Sequence, residues 1–130
     1  MRSTFFAILV VAIGMYPPLV AAGQETASSG LVKVTGLLAQ GDSVRVVCFG
    51  DSVTGVYYHT GSRRAYTDMV GIGLHRLYPG ASIEMVNAGI SGHTTVNALE
   101  RIDADVIAKS PHLVTVMFGL NDMTRVPIDT

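Results

Sequence analysis

The sequence predicts an α/β fold built on a parallel sheet. Three short apolar runs, residues 44–49, 82–87 and 113–118, alternate with two amphipathic segments, residues 63–77 and 94–106. Each apolar run stops at or near a glycine: Gly50, Gly89 and Gly119. A polar cluster sits at each of those ends. Strand–helix–strand–helix–strand is the pattern of βαβ units. Right-handed crossovers then place helices on both faces of the sheet. The reactive crevice of such a sheet lies at the carboxyl ends of its strands.

The first run is Val-Arg-Val-Val-Cys-Phe, rich in β-branched residues and closed by Gly50. That composition suits a buried strand followed by a turn. Over residues 63–77, Tyr66, Met69, Val70, Gly73, Leu74 and Leu77 recur at helical spacing and predict one apolar face. Pro79-Gly80 ends that helix. Residues 82–87 form the second strand. Thr94 or Thr95 caps the second helix, whose apolar positions are Val96, Leu99, Ile102 and Val106. Ser110-Pro111 stops it, and the third strand follows.

The start of the chain reads differently. Arg2 precedes an apolar run over residues 5–13, then Pro17-Pro18, then Val20-Ala21-Ala22-Gly23. A basic start, a short apolar core and small residues before a cut predict a secretory leader cleaved after Ala22. The run is too short for a comfortable membrane span. The expected localisation is secreted or periplasmic, with no stable membrane insertion after cleavage. Residues 23–42, rich in Gly, Ser, Thr and Gln, read as a linker or N-terminal extension. Residues 43–130 carry the functional domain. The formal net charge is −1 and no basic stripe appears, which argues against nucleic acid as a partner. The single Cys48 excludes an internal disulfide and has no neighbour at metal-ligand spacing. No metal or cofactor is implied.

The chemistry lies in the three strand-end clusters: Gly50-Asp51-Ser52, Asn87-Ala88-Gly89 and Gly119-Leu120-Asn121-Asp122. A serine hydroxyl becomes a nucleophile when a base takes its proton and an oxyanion hole receives the developing charge. The hole needs donors. Gly89 can offer a backbone N–H with no side chain in the way, Asn121 a side-chain amide, and Ser52 its own N–H. Asp51, Asn87 and Asp122 suit the bracing of their loops.

These residues carry a resemblance. Residues 46–54, Val-Val-Cys-Phe-Gly-Asp-Ser-Val-Thr, resemble the first block of the GDSL/SGNH hydrolases. Asn87-Ala88-Gly89-Ile90-Ser91-Gly92-His93-Thr94-Thr95 is similar to their second block, and Val116-Met117-Phe118-Gly119-Leu120-Asn121-Asp122 to their third. The resemblance implies a flavodoxin-like three-layer α/β/α sandwich, here truncated after its third strand. It implies a serine hydrolase acting on small-molecule or glycan esters, with Ser52 as nucleophile and Ser52, Gly89 and Asn121 as oxyanion donors. The family's fourth block, Asp-x-x-His, supplies the orienting acid and the base, and it is absent from the 130 residues. The expectation is therefore an N-terminal portion of a longer protein, inactive by itself. The alternative is a non-catalytic carbohydrate or cell-surface binding domain on a hydrolase scaffold.

Four histidines remain. His75 falls off the helical face and His112 at the wrong end of its strand, whereas His59 and His93 lie in loops on the crevice side. Neither of the last two occupies the family's base position. Gly41-Asp42-Ser43 repeats the nucleophile triplet but precedes its strand, so it reads as a turn. Gly50 to Gly55 has the skeleton of a P-loop, yet Val56-Tyr57 replaces the Lys-Ser/Thr that phosphate requires. Gly71-Ile72-Gly73 follows no strand and is no dinucleotide fingerprint. Tyr57 and Tyr58 suit either a pocket wall or a cover for the sheet.

Overall fold

The first predicted strand is the most buried stretch of the chain, and the sheet is built around it. The computed structural model describes residues 7–10, 24–55 and 59–125. Its strands are β1 (Ala7–Val10), β2 (Ser43–Gly50), β3 (Ser82–Gly89) and β4 (Leu113–Met117), in the spatial order β1-β4-β2-β3. All the pairings are parallel. Val46, Val47 and Cys48 of β2 are fully buried. Val44, Val46 and Cys48 enter one core, and Val47 and Phe49 the other. A strand covered on both faces must be apolar at nearly every position, which is why β2 reads as a continuous run.

The helices are α1 (Gln24–Ala39), α2 (Tyr66–Leu77), α3 (Thr95–Asp105) and the single turn α4 (Asp122–Arg125). Val34 and Leu38 of α1 share a core with Tyr66 and Leu74 of α2 on one face of the sheet. Ala98 and Ile102 of α3 cover the other face, with Val106. The result is the three-layer α/β/α arrangement expected. The chain leaves β2 toward β3 on one side and returns to β4 on the other. This reversal is the point where a doubly wound sheet opens its crevice.

Three sequence expectations change. Residues 23–42, expected as a linker or N-terminal extension, contain helix α1. The Gly, Ser and Thr content of the segment hides the stripe Val34, Leu37 and Leu38, which rests on the sheet. The helix ends at Gly41, whose φ of +80° accompanies bonds from Gly41 N–H to Leu38 O and from Asp42 N–H to Leu37 O. That is a positive-φ glycine stop, so Gly41 and Asp42 turn the chain into the far end of β2, which Ser43 begins.

The buried faces of both crossover helices also differ from those expected. On α2, Thr67 and Gly71 are buried, while Met69 is 56% and Leu77 73% exposed. Gly71 lets the helix lie close, since a Cβ there would stand 2.8 Å from Met85 Cγ. On α3, Ala98 faces the sheet, while Leu99 is 74% exposed. Thr94 caps this helix: Asn97 N–H donates to its hydroxyl at 3.4 Å, and the Thr94 N–H donates to Asn97 Oδ1 at 3.1 Å. Strand β1 was not expected either. It pairs with the outer edge of β4 and lies inside the segment that the sequence marks as a leader. The leader's other residues, and Tyr57 and Tyr58, lie outside the described residues.

Candidate active site

Beyond Gly50 the chain turns sharply. The N–H groups of Thr54 and Gly55 both donate to Asp51 O, at 3.2 and 3.1 Å, and Val53 N–H donates to Asp51 Oδ1 at 2.9 Å. Gly50 is required at the strand end, because a Cβ there would lie 2.6 Å from Met117 O and closer still to the Thr54 hydroxyl. Thr54 is fully buried. Its hydroxyl lies 3.4 Å from the Tyr66 hydroxyl, which in turn lies 3.1 Å from Thr115 Oγ1. The Asn87 side-chain amide donates to Thr54 O at 2.9 Å and to Thr67 Oγ1 at 3.0 Å. Elements α2, β3 and β4 thus hold the loop that carries Ser52.

Ser52 is buried in this loop, and its Oγ lies 2.9 Å from His59 Nε2. A hydroxyl this close to an imidazole is the local geometry of a nucleophile beside a proton acceptor. Cys48, two residues before Gly50, is no rival. Burial pushes its thiol pKa up, against hydrogen bonds from Thr115 and Tyr66, and so keeps it protonated. Burial likewise raises the Tyr66 phenol.

Gly89 pairs in register with Gly50, and Ile90 N–H donates to Gly50 O at 3.1 Å. A Cβ at Gly89 would stand 2.4 Å from Gly55 N and 2.9 Å from Asp51 O, so the turn that carries Ser52 rests directly on this glycine. The Gly89 N–H donates to Asn87 Oδ1 at 3.0 Å. The Asn121 amide donates to Asp51 Oδ2 at 3.2 Å and to His93 O at 3.0 Å. Both hydrogens of its NH2 are therefore engaged. The three clusters meet at one rim, and two of the three expected oxyanion donors are bonded to loop oxygens in this state.

Asp51 is buried and links the turn to Asn121, so it is a loop brace. Asn87 braces Thr54 and Gly89. Asp122 Oδ1 accepts from Thr95 N–H at 2.9 Å and from the Thr95 hydroxyl, tying the start of α3 to the loop after β4. Desolvation works to raise the Asp122 pKa, but the Thr95 bonds outweigh it and hold the carboxyl below its ordinary value.

The histidines divide as their positions suggest. His112 lies at the opposite end of the sheet, where Arg45 N–H donates to its Nδ1 at 3.0 Å. His75 is exposed on α2, with its Nδ1 2.8 Å from Gly71 O. His93 enters the rim through its carbonyl. The contact between His59 and Ser52 was not legible in the sequence beyond the placement of both in crevice-side loops.

The family described as GDSL-like lipase/acylhydrolase matches residues 48–130. An acetylxylan esterase of Geobacillus stearothermophilus is 44% identical over 57 residues, which are 44% of this chain and 26% of that protein. An uncharacterised lipoprotein of Bacillus subtilis is 35% identical over 81 residues, covering 59% of this chain and 31% of that protein. The chain thus spans well under half the length of these relatives. Among solved structures, a two-domain esterase active on acetylated mannans aligns with a TM-score of 0.67 at 28% identity, over 72% of this chain and 25% of that one. The acetylxylan esterase Axe2 of Geobacillus stearothermophilus aligns with a TM-score of 0.54 at 33% identity, over 61% of this chain and 40% of that one. With the family match covering residues 48–130, the parallel sheet and the three loop blocks at its carboxyl edge, this chain belongs to the GDSL-like lipase/acylhydrolase family.

Proposed function

We propose that the protein is an exported serine hydrolase that removes acyl groups, acetyl above all, from esterified glycans. The observation that carries the proposal is the Ser52 hydroxyl, fixed at the carboxyl edge of β2 and 2.9 Å from an imidazole nitrogen. The substrate class is supported by the relatives, which include an acetylxylan esterase and an esterase active on acetylated mannans. The basic, apolar and small-residue sequence of the first 22 residues supports export.

In this mechanism Ser52 Oγ attacks the ester carbonyl and passes its proton to an imidazole. The oxyanion forms among the N–H groups of Ser52 and Gly89 and the Asn121 amide. Two donors change partners at that moment: Gly89 leaves Asn87 Oδ1, and Asn121 leaves one of its two loop oxygens. The tetrahedral intermediate collapses with cleavage of its bond to the sugar oxygen, and the imidazolium protonates that oxygen so that it leaves as a hydroxyl. Water, activated by the same imidazole, then releases the acid from the acyl-enzyme.

Two sources of the imidazole are open to test. The family pattern assigns it to an Asp-x-x-His pair, carried outside these 130 residues. The contact between Ser52 and His59 favours His59 itself. Turnover of p-nitrophenyl acetate by residues 1–130 separates them. Negligible activity is expected, with the base supplied from outside. Robust turnover that His59→Ala removes would give the role to His59.

A further inference from the structure

Arg101 projects from α3 beneath the catalytic rim, outside all three sequence blocks. Its Nη2 donates to Gly50 O at 2.8 Å, and its Nη1 donates to Ala88 O at 2.9 Å. The fork therefore joins the last carbonyl of β2 to the penultimate carbonyl of β3. The same Nη1 reaches Asp105 Oδ2 at 2.7 Å, one helical turn away. The guanidinium lies 4.4 Å from the centre of the Phe49 ring and 5.8 Å from that of Phe118. The side chain is only 11% exposed. An ion-pair partner, an aromatic ring beneath it and two carbonyls ahead of it hold this planar cation in place.

Peptide planarity turns this contact into a statement about the site. Ala88 C=O and Gly89 N–H belong to one rigid trans unit and point in opposite directions. Fixing the carbonyl therefore fixes where the Gly89 N–H points. Gly50 C=O and Asp51 N–H are related in the same way, and Asp51 N–H donates to Met117 O at 3.3 Å. Asp51 directly precedes the nucleophile. Gly50 O also receives Ile90 N–H, so one oxygen gathers β2, β3 and α3.

We infer that Arg101 is a positioning residue, which aims the Gly89 N–H and sets the separation between that donor and the Ser52 hydroxyl. Its kinetic part rests on the reading of Ser52 and Gly89 as nucleophile and oxyanion donor. Lysine carries the charge but cannot fork to two carbonyls. In the protein, Arg101→Lys should lower kcat by about a hundredfold, as a misplacement near 1 Å does, with KM unchanged. Added guanidinium should restore part of the kcat lost in Arg101→Ala. Amide exchange at Gly89 and Ile90 should quicken by about tenfold or more in Arg101→Lys, while Val46 and Val47 keep their protection. Exchange needs no activity. A wild-type protein that carries the Asp-x-x-His pair and still lacks esterase activity would therefore fail the functional reading, and exchange alone would still decide the role of Arg101. An Arg101→Lys protein with kcat within twofold of wild type overturns the inference, and so does unchanged exchange at Gly89 and Ile90.

Discussion

Ser52→Ala, in a protein that carries the Asp-x-x-His pair, is expected to lower ester turnover by on the order of a millionfold while leaving the fold intact. The size of the effect follows from covalent catalysis. Without the hydroxyl no acyl-enzyme forms, and only the binding and oxyanion contributions remain. The fold should survive, because the Ser52 side chain makes its hydrogen bond to His59 and carries none of the braces around the turn. Those belong to Asp51, Thr54 and Asn87. Urea unfolding should therefore shift by no more than about 1 kcal/mol, the net worth of the one hydrogen bond removed. A variant that keeps a tenth or more of the wild-type kcat would contradict the assignment. A variant that loses stability along with activity would recast Ser52 as a structural residue.

Gly89→Ala is expected to destabilise the protein by about 3 kcal/mol or more, the upper range for forcing atoms into a packed site. The added Cβ would meet Gly55 N at 2.4 Å, Thr54 C at 2.7 Å and Asp51 O at 2.9 Å. All three are backbone atoms, and none belongs to a side chain that can swing aside. Relief requires the turn over residues 51–55 to lift off β3, which carries Ser52 with it. Activity should fall even in molecules that remain folded. The contrast is Gly73→Ala on α2, where a Cβ meets nothing within 4 Å and the substitution should be neutral or mildly stabilising. Equal urea midpoints for the two variants would show that the turn does not rest on β3 as described.

The parts of this molecule that were legible in the sequence are those governed by local composition. Residues 44–49 could be read as a strand because burial on both faces demands apolar side chains throughout. The three polar clusters could be placed at one edge because parallel strands end together. The helix faces were legible only in part: Tyr66, Leu74, Ile102 and Val106 pack as their spacing suggests. Hydropathy favours Met69, Leu77 and Leu99, but close approach to a sheet favours Thr67, Gly71 and Ala98. Helix α1 was hidden by residues that signal a linker, and only its docking on Val44 and Val46 reveals its role.

The site divides along the same line. Ser52, Gly89 and Asn121 could be named from their blocks. The present hydrogen bonds of Asn121 could not, because Asp51 Oδ2 and His93 O reach it only through tertiary structure, whereas Asn87 Oδ1 reaches the Gly89 N–H from two residues away. Arg101 has no local signal at all. In sequence it is one charge in an amphipathic helix, paired with Asp105 at i+4. Its contact with Gly50 spans 51 positions.

The most direct test of the account is to treat the protein with a fluorophosphonate and map the adduct by peptide mass spectrometry. A serine set beside a proton acceptor and facing an oxyanion hole should take one phosphonyl group, on Ser52, with Ser43, Ser62 and Ser91 unmodified. A modified protein whose adduct lies on any other residue, or an active esterase that takes none, would contradict it.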